Sequence, residues 1–336
     1  MTHDRLKNKK SGKEETVVEL TLRPSSWADY IGQERVKANL KLILEAAKNR
    51  GESCDHLLFY GQAGLGKTTL AYLVAKEMGV PIKTTTGPAL EKAGDIAAIL
   101  SNLEPSEILF IDEAHRINKL AEEILYPALE ARKLHLVIGK GPSAKIFSLD
   151  LPPFTVISAT TKVNLLSSPL RSRFGAIFRL DYYSVTDIAQ IIERSARILQ
   201  VSISDSGRQA LAAAARFTPR VANRLLKRCR DYIEVHTIQI IDDAVVAKTL
   251  EMFEIDSLGL EYADRELLRV IVEKFNGGPV GVKALGAALN EEVGAIEEVY
   301  EPFLMKLGLL QRTPLGRIAT EAAYAHLKLQ AKQTLL

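Results

Sequence analysis

The octapeptide GQAGLGKT, Gly61–Thr68, decides the fold: it fits the phosphate-loop pattern G-x-x-x-x-G-K-[ST] and stands between an apolar run, HLLFY (56–60), and a helical one, KTTLAYLVAKEMG (67–79). A strand before the loop and a helix after it are the context its chemistry requires. The glycines, Gly64 and Gly66 among them, let backbone N–H groups curl around phosphate oxygens, and the helix adds its positive N-terminal end. Lys67 is then placed to reach the β and γ phosphates and the Thr68 hydroxyl to ligate Mg²⁺, so ATP with Mg²⁺ is the expected pair. A structural turn would explain the glycines but not the Lys-Thr that follows.

Some forty residues downstream, ILFIDEAH places Asp112 and Glu113 at the end of a fully apolar strand. Open α/β sheets bind ligands at that carboxyl edge. Asp112 there supports Mg²⁺, and Glu113 orients or deprotonates water. From His56 to Ala176, short β-rich runs alternate with helical patterns, which predicts a parallel sheet flanked by helices. Ahead of it, Val36, Leu40, Ile43 and Leu44 recur at helical spacing.

The alternation breaks at LHLVIGKGPSAKIFSL (134–149), two β-prone arms around Gly-Lys-Gly-Pro that read as a projecting β-hairpin. From Val185 to Glu254 every segment has helical periodicity. DSLGL (256–260) reads as a linker. Beyond it, three helical stretches precede two short strands around Pro-Leu-Gly, the winged-helix pattern. The expected division is an α/β ATPase domain over 1–183, a small helical domain over 184–254 and a winged-helix domain over 256–336.

With 47% apolar and 25% charged residues and no apolar run of membrane length, the 336-residue chain reads as soluble. Its first fifteen residues lack the apolar stretch of a secretory signal, so a cytoplasmic protein with a frayed N-terminus is expected. Cys54 and Cys229 have no metal-ligand spacing. Net charge is only +3, so contact with nucleic acid must be focal.

ISATTKVNLLSSPLRSRFG (157–175) distinguishes kinds of phosphate-loop ATPase. A polar residue ending a strand, then an arginine in a PLRxRF turn, is similar to the sensor-1 and arginine-finger region of AAA+ proteins. The letters DEAH also name a class of RNA helicases, but a second recombinase-like domain is missing. LRPSSWADYIGQ, FIDEAHRI, LDLPPFT, SPLRSRFG, TPRVANRLLKR and QRTPLGR together resemble the RuvB family of Holliday junction branch-migration ATPases, from Leu22 to about Thr320. The resemblance implies a homohexameric ring around DNA, acting with RuvA and, in a resolving complex, RuvC.

By the same resemblance, Thr161 is sensor 1, Arg173 a finger that enters a neighbouring subunit's site, and Arg220, after Thr218 and Pro219, sensor 2. Leu22 and Arg23 match the family's adenine-side segment and Tyr183 its hinge contact. Thr69 belongs to the phosphate loop, and Glu130, Ala131 and Arg132 fall where the family lines the subunit boundary. From the residues alone, the alternatives are that Arg171 and Arg173 are surface ion-pair partners, Thr161 a strand cap and Tyr183 a packed aromatic.

Residues 256–336 carry nine Arg or Lys against eleven Asp or Glu. The stretch 296–307 contains Glu297, Glu298 and Glu301, which phosphates would repel, whereas Arg312 and Arg317 on the ribbon arms are read as free to contact DNA backbone. Leu315 stands where the family usually has arginine, which weakens the expected salt dependence. The resemblance implies that Phe147 and Leu149 are apolar contacts to RuvA; by itself the hairpin could equally fold onto its own domain. A clamp-loader switch and a nucleotide-gated module that does no work are the competing functions. The winged helix and LDLPPF hairpin speak against the first, and Glu113 with Arg173 against the second.

Overall fold

The structure is a computed structural model that describes residues 21–138 and 145–329. The described residues gather into two compact units, one within 21–198 together with 218–220, the other of 199–217 with 221–329.

The first unit is built on a five-stranded parallel sheet. Its strands are β1 (Leu57–Tyr60), β2 (Ile82–Thr86), β3 (Ile108–Asp112), β6 (Thr155–Thr160) and β7 (Ala176–Arg179), in the order β2-β3-β6-β1-β7. The central strands are apolar on both faces because helices cover both, so Leu58, Leu109, Ile111 and Val156 disappear into the core. Helices α1 (Glu34–Arg50), α2 (Lys67–Met78), α3 (Ala93–Ser101) and α4 (Lys119–Ala131) belong to this unit, as do the one-turn α5 (Ser168–Arg171) and α6 (Val185–Ile198). The expected alternation did not include β2. Its sequence, IKTTT, is polar because it lies at the sheet edge and stays half-exposed.

The expected hairpin forms from β4 (Lys133–Ile138) and β5 (Lys145–Asp150), antiparallel and, among the described residues, paired only with each other. Leu134 pairs with Leu149 and Leu136 with Phe147. Leu134 is buried at its base. The predicted Gly-Lys-Gly-Pro tip, like the N-terminal segment, lies outside the described residues.

In the second unit, α7 (Asp205–Ala213), most of α8 (Pro219–His236) and α9 (Asp243–Met252) are joined by a two-residue pairing of β8 (Ser202–Ile203) with β9 (Ile240–Ile241). A pairing that short leaves no period for sequence to show. The winged helix follows, with α10 (Tyr262–Lys274), α11 (Val282–Leu289) and a third helix, α12. The last begins at Val293–Ala295, opens into a π turn over Ile296–Tyr300 and continues through Glu301–Lys306. Strands β10 (Leu310–Thr313) and β11 (Gly316–Ala319) form the wing, and α13 (Glu321–Leu327) closes the unit. Leu267, Leu268, Ile271, Leu285, Ile296, Phe303 and Leu304 make its core.

The DSLGL stretch is not a loose tether. Asp256 accepts the N–H groups of Leu258 and Leu260 at 2.9 Å and pairs with His326 at 2.8 Å. At Gly259, φ is +84° and a Cβ would stand 2.3 Å from the Ala214 carbonyl oxygen.

Candidate nucleotide site and nucleic-acid surface

The phosphate loop leaves β1 and turns into α2 at Gly66, whose φ of +95° suits glycine. A Cβ on Gly66 would stand 2.8 Å from the Tyr30 hydroxyl, and one on Gly64 would stand 3.0 Å from Cβ of Arg220 and 3.5 Å from Cβ of Thr218. The loop is thus enclosed by Tyr30 on one side and by the start of α8 on the other. Lys67 is buried, and its ammonium donates to the Gly61 and Gln62 carbonyls at 2.7 and 2.8 Å. Burial pulls its pKa down to about 8; Asp112 works against that shift and Arg220 adds to it.

Asp112 ends β3 beside the loop, and the Thr68 hydroxyl donates to its carboxylate at 3.3 Å. Two hard oxygen donors side by side suit a divalent cation that takes its remaining ligands from water and phosphate. Glu113 follows with φ of +49°, its carboxylate paired with Arg116 at 3.0 Å. The neighbouring strand β6 ends at Thr160, whose hydroxyl lies 3.0 Å from Nδ1 of His115, and Thr161 is exposed just beyond. Lys67, Thr68, Asp112 and Arg220 therefore come together, with Thr161 at the same sheet edge.

Leu22 is buried and its carbonyl accepts from Arg194 at 2.9 Å, while the Arg23 guanidinium lies 5.1 Å from the Tyr72 ring centre. The buried Tyr183 hydroxyl lies 3.2 Å from that of Tyr30 and 3.3 Å from the Leu65 carbonyl. Desolvation pushes the Tyr183 phenol up to about 12 and holds the Tyr30 phenol well above its usual value. The family motif that contains Tyr30 gives it no role. Its signal in sequence was one aromatic in ADYIGQ, and only its approach to Gly66 shows what it does.

Arg173 is occupied within its own chain. It donates to the Pro169 carbonyl at 2.7 Å and to Glu130 at 2.8 Å, and its guanidinium lies 4.7 Å from the Tyr126 ring centre. Tyr126 is held by Glu122 at 2.9 Å and Ser167 at 3.0 Å. Glu130, Ala131 and Arg132 are exposed at the end of α4, where Arg132 takes φ of +54° before β4 begins. The family-boundary residues and the expected finger thus share one surface.

On the wing, one expectation is corrected. Arg317 is not free to meet a phosphate: it is 6% exposed and donates to Glu301 at 2.6 Å and Glu297 at 2.9 Å. Burial works to lower its pKa, but those carboxylates outweigh it and hold the guanidinium above its usual value. Sequence spacing along a ribbon cannot show that α12 turns its glutamates toward the strand beside it. Arg312 is over half exposed, 3.5 Å from Glu297, and Leu315 is 81% exposed at the turn. On the hairpin, Phe147 and Leu149 are 52% and 45% exposed.

Family models match almost all of the described chain: a Holliday junction DNA helicase RuvB P-loop domain over residues 22–180, a RuvB AAA lid domain over 183–256 and a RuvB C-terminal winged-helix domain over 257–328. The chain belongs to the RuvB family. Among curated RuvB proteins, the Holliday junction branch migration complex subunit RuvB of Chloroflexus aggregans is 55% identical over 329 residues, 98% of this chain and 94% of that protein. Its Chloroflexus aurantiacus counterpart is also 55% identical, with the same coverage. The solved Thermotoga maritima RuvB Holliday junction branch migration motor superposes with a TM-score of 0.85 at 49% identity, covering 93% of this chain and all of that one. Membership in the RuvB family makes the chain an AAA+ P-loop ATPase with lid and winged-helix domains. No described helix is long and apolar enough to cross a membrane.

Proposed function

We propose that the chain is the ATP-driven motor of Holliday junction branch migration, working in the cytoplasm as a homohexameric ring around duplex DNA, with RuvA as its loading partner and RuvC in the resolving complex. The observation that carries this reading is the closure of the Thr218–Arg220 segment on Gly64, over a loop that already brings Lys67, Thr68 and Asp112 together. In it, Gly64, Gly66, Lys67, Thr68 and Thr69 hold the triphosphate, and Leu22, Arg23 and Tyr183 stand on the adenine side. Thr68 and Asp112 would hold Mg²⁺, which supplies charge neutralisation to the β and γ phosphates. Glu113 leaves Arg116 to orient the attacking water, Thr161 and Arg220 sense the γ-phosphate, and Arg173 leaves Glu130 for the site of the next subunit. Glu130, Ala131 and Arg132 line that boundary. A finger delivered in trans makes hydrolysis depend on assembly, and the head-to-tail contact it needs closes into a ring.

On the wing, Arg312 contacts phosphate, and Arg317 acts through the shape it gives the ribbon. Backbone contact without base reading suits a motor that moves over any sequence. Phe147 and Leu149, two exposed apolar side chains on one face of the hairpin, form the RuvA contact.

The test is strand exchange on a synthetic four-way junction, with and without RuvA. ATP-dependent, RuvA-stimulated exchange is expected; ATP turnover without any exchange overturns the motor reading. Phe147→Asp is expected to leave basal hydrolysis unchanged and to weaken stimulation by RuvA at least tenfold, as loss of a buried aromatic contact does. Loss of basal hydrolysis in that variant would show the hairpin to be structural.

A further inference from the structure

Arg216 and Phe217 are joined by one peptide bond to the segment that closes on the phosphate loop, yet their side chains are engaged far along the sequence, in the winged helix. Thr218–Arg220, which follow them, group with the ATPase unit, while Arg216 and Phe217 group with the C-terminal unit. There the Arg216 guanidinium forks onto both oxygens of Asp264, at 2.7 and 3.3 Å, and lies 4.1 Å from the Phe303 ring centre. The Phe217 ring meets Phe303 edge-on at 6.2 Å, and the Lys306 ammonium lies 5.6 Å from the Phe217 ring centre.

Further contacts hold this grip in place. Asp264 is 0% exposed and also accepts the Glu261 N–H at 2.9 Å, so it is fixed in the first turn of α10. Arg224, one turn into α8, pairs with Glu261 at 2.8 Å. Arg216 and Phe217 both adopt left-handed backbone, with φ of +51° and +55°. Side chains with a Cβ rarely take that conformation, and two in succession persist only where the surroundings impose it. Phe303 lies two residues beyond Glu301, which holds the wing arginine Arg317.

We propose that Arg216–Phe217 is the coupling joint of the motor: movement of Thr218–Arg220 with the nucleotide is passed through the Arg216–Asp264 fork and the Phe217–Phe303 contact to α10, α12 and the wing. The proposal rests on the reading of Arg220 as a nucleotide contact and of the wing as the DNA surface. A forked, buried ion pair with an aromatic floor cannot slide without breaking, so the short helices around α8 and the winged helix turn together. Because binding free energies are linked in both directions, DNA on the wing must alter nucleotide binding through the same joint.

The experiment compares the unmodified chain with Arg216→Lys, Asp264→Asn and the double variant. Each is assembled on a four-way junction and assayed for ATP turnover with and without DNA, for exchange per ATP and for melting temperature. Arg216→Lys keeps the charge but loses the planar fork. Basal kcat and KM are expected to stay within about twofold, while stimulation by DNA and exchange per ATP fall about tenfold, within the range usual for coupling between sites. Asp264→Asn added to Arg216→Lys is expected to cost little more, because the two act as one unit. Phe217→Leu, a milder change, reads the same coupling if the ion-pair variants do not fold. Stimulation unchanged in Arg216→Lys and in Phe217→Leu, whatever the melting temperature, overturns the joint and leaves the motor reading standing. Absence of DNA stimulation in the unmodified chain overturns the motor reading itself, and the joint with it.

Discussion

Arg173 and Arg317 are each held by glutamate, but in opposite surroundings. The Arg173 side chain is 24% exposed and its partner Glu130 is 67% exposed. The Arg317 side chain is 8% exposed and that of Glu301 only 2%. A solvent-exposed pair contributes about 0–1 kcal/mol, so in the trans site proposed above Glu130 would give way to a triphosphate at little cost. A buried pair is different: removing one partner strands the other charge and costs roughly 3–5 kcal/mol. Burial of the partner, rather than the presence of a salt bridge, separates an arginine available to a ligand from one committed to the fold.

The sharpest way to break this comparison is Arg173→Ala. Nucleotide binding should survive while assembled turnover falls by about 10³ to 10⁵; a loss below tenfold in single-turnover assays would remove the trans finger. Next in size, Arg317→Met should destabilise the winged-helix unit by about 3–5 kcal/mol in urea denaturation, with Glu301→Gln on top restoring part of the loss. If instead stability holds and DNA affinity collapses, Arg317 is a DNA ligand after all. Arg312→Ala should lower the slope of log affinity against log salt by about one unit, and Leu315→Arg should raise it by about as much. Equal slopes in all three proteins would place the DNA contact elsewhere. The smallest effect belongs to Glu130→Gln: less than about 1 kcal/mol in stability, with unassembled chains as inactive as before. A large stability loss would show Glu130 to be as architectural as Glu301.

Much of the nucleotide site could be read in advance because its residues are close along the chain and the loop's geometry follows from local backbone needs. Gly64, Gly66, Lys67 and Thr68 sit within five positions, and Asp112 arrives at the same edge because the strand that carries it is apolar throughout. Tyr30, His115 and Arg194 could not be assigned from sequence because each acts across 36 or more positions on a neighbour that no pattern specifies. The wing arginines show the opposite failure. Their spacing on two strands is clear from sequence, but whether they face solvent depends on α12, whose acids turn toward the ribbon.

By itself the sequence determined the phosphate loop, the acidic strand end, the order of sheet, helices and wing, and the membership that six dispersed motifs imply. Those properties rest on local backbone demands and on hydrophobic period, which are written in neighbouring residues. Tertiary structure alone decided which arginines remain available, that the DSLGL stretch is bonded in place rather than loose, and that Arg216 meets Asp264. Each of those outcomes depends on burial and on partners distant in the chain, where the free energy of a charge is set by what surrounds it rather than by what it is bonded to.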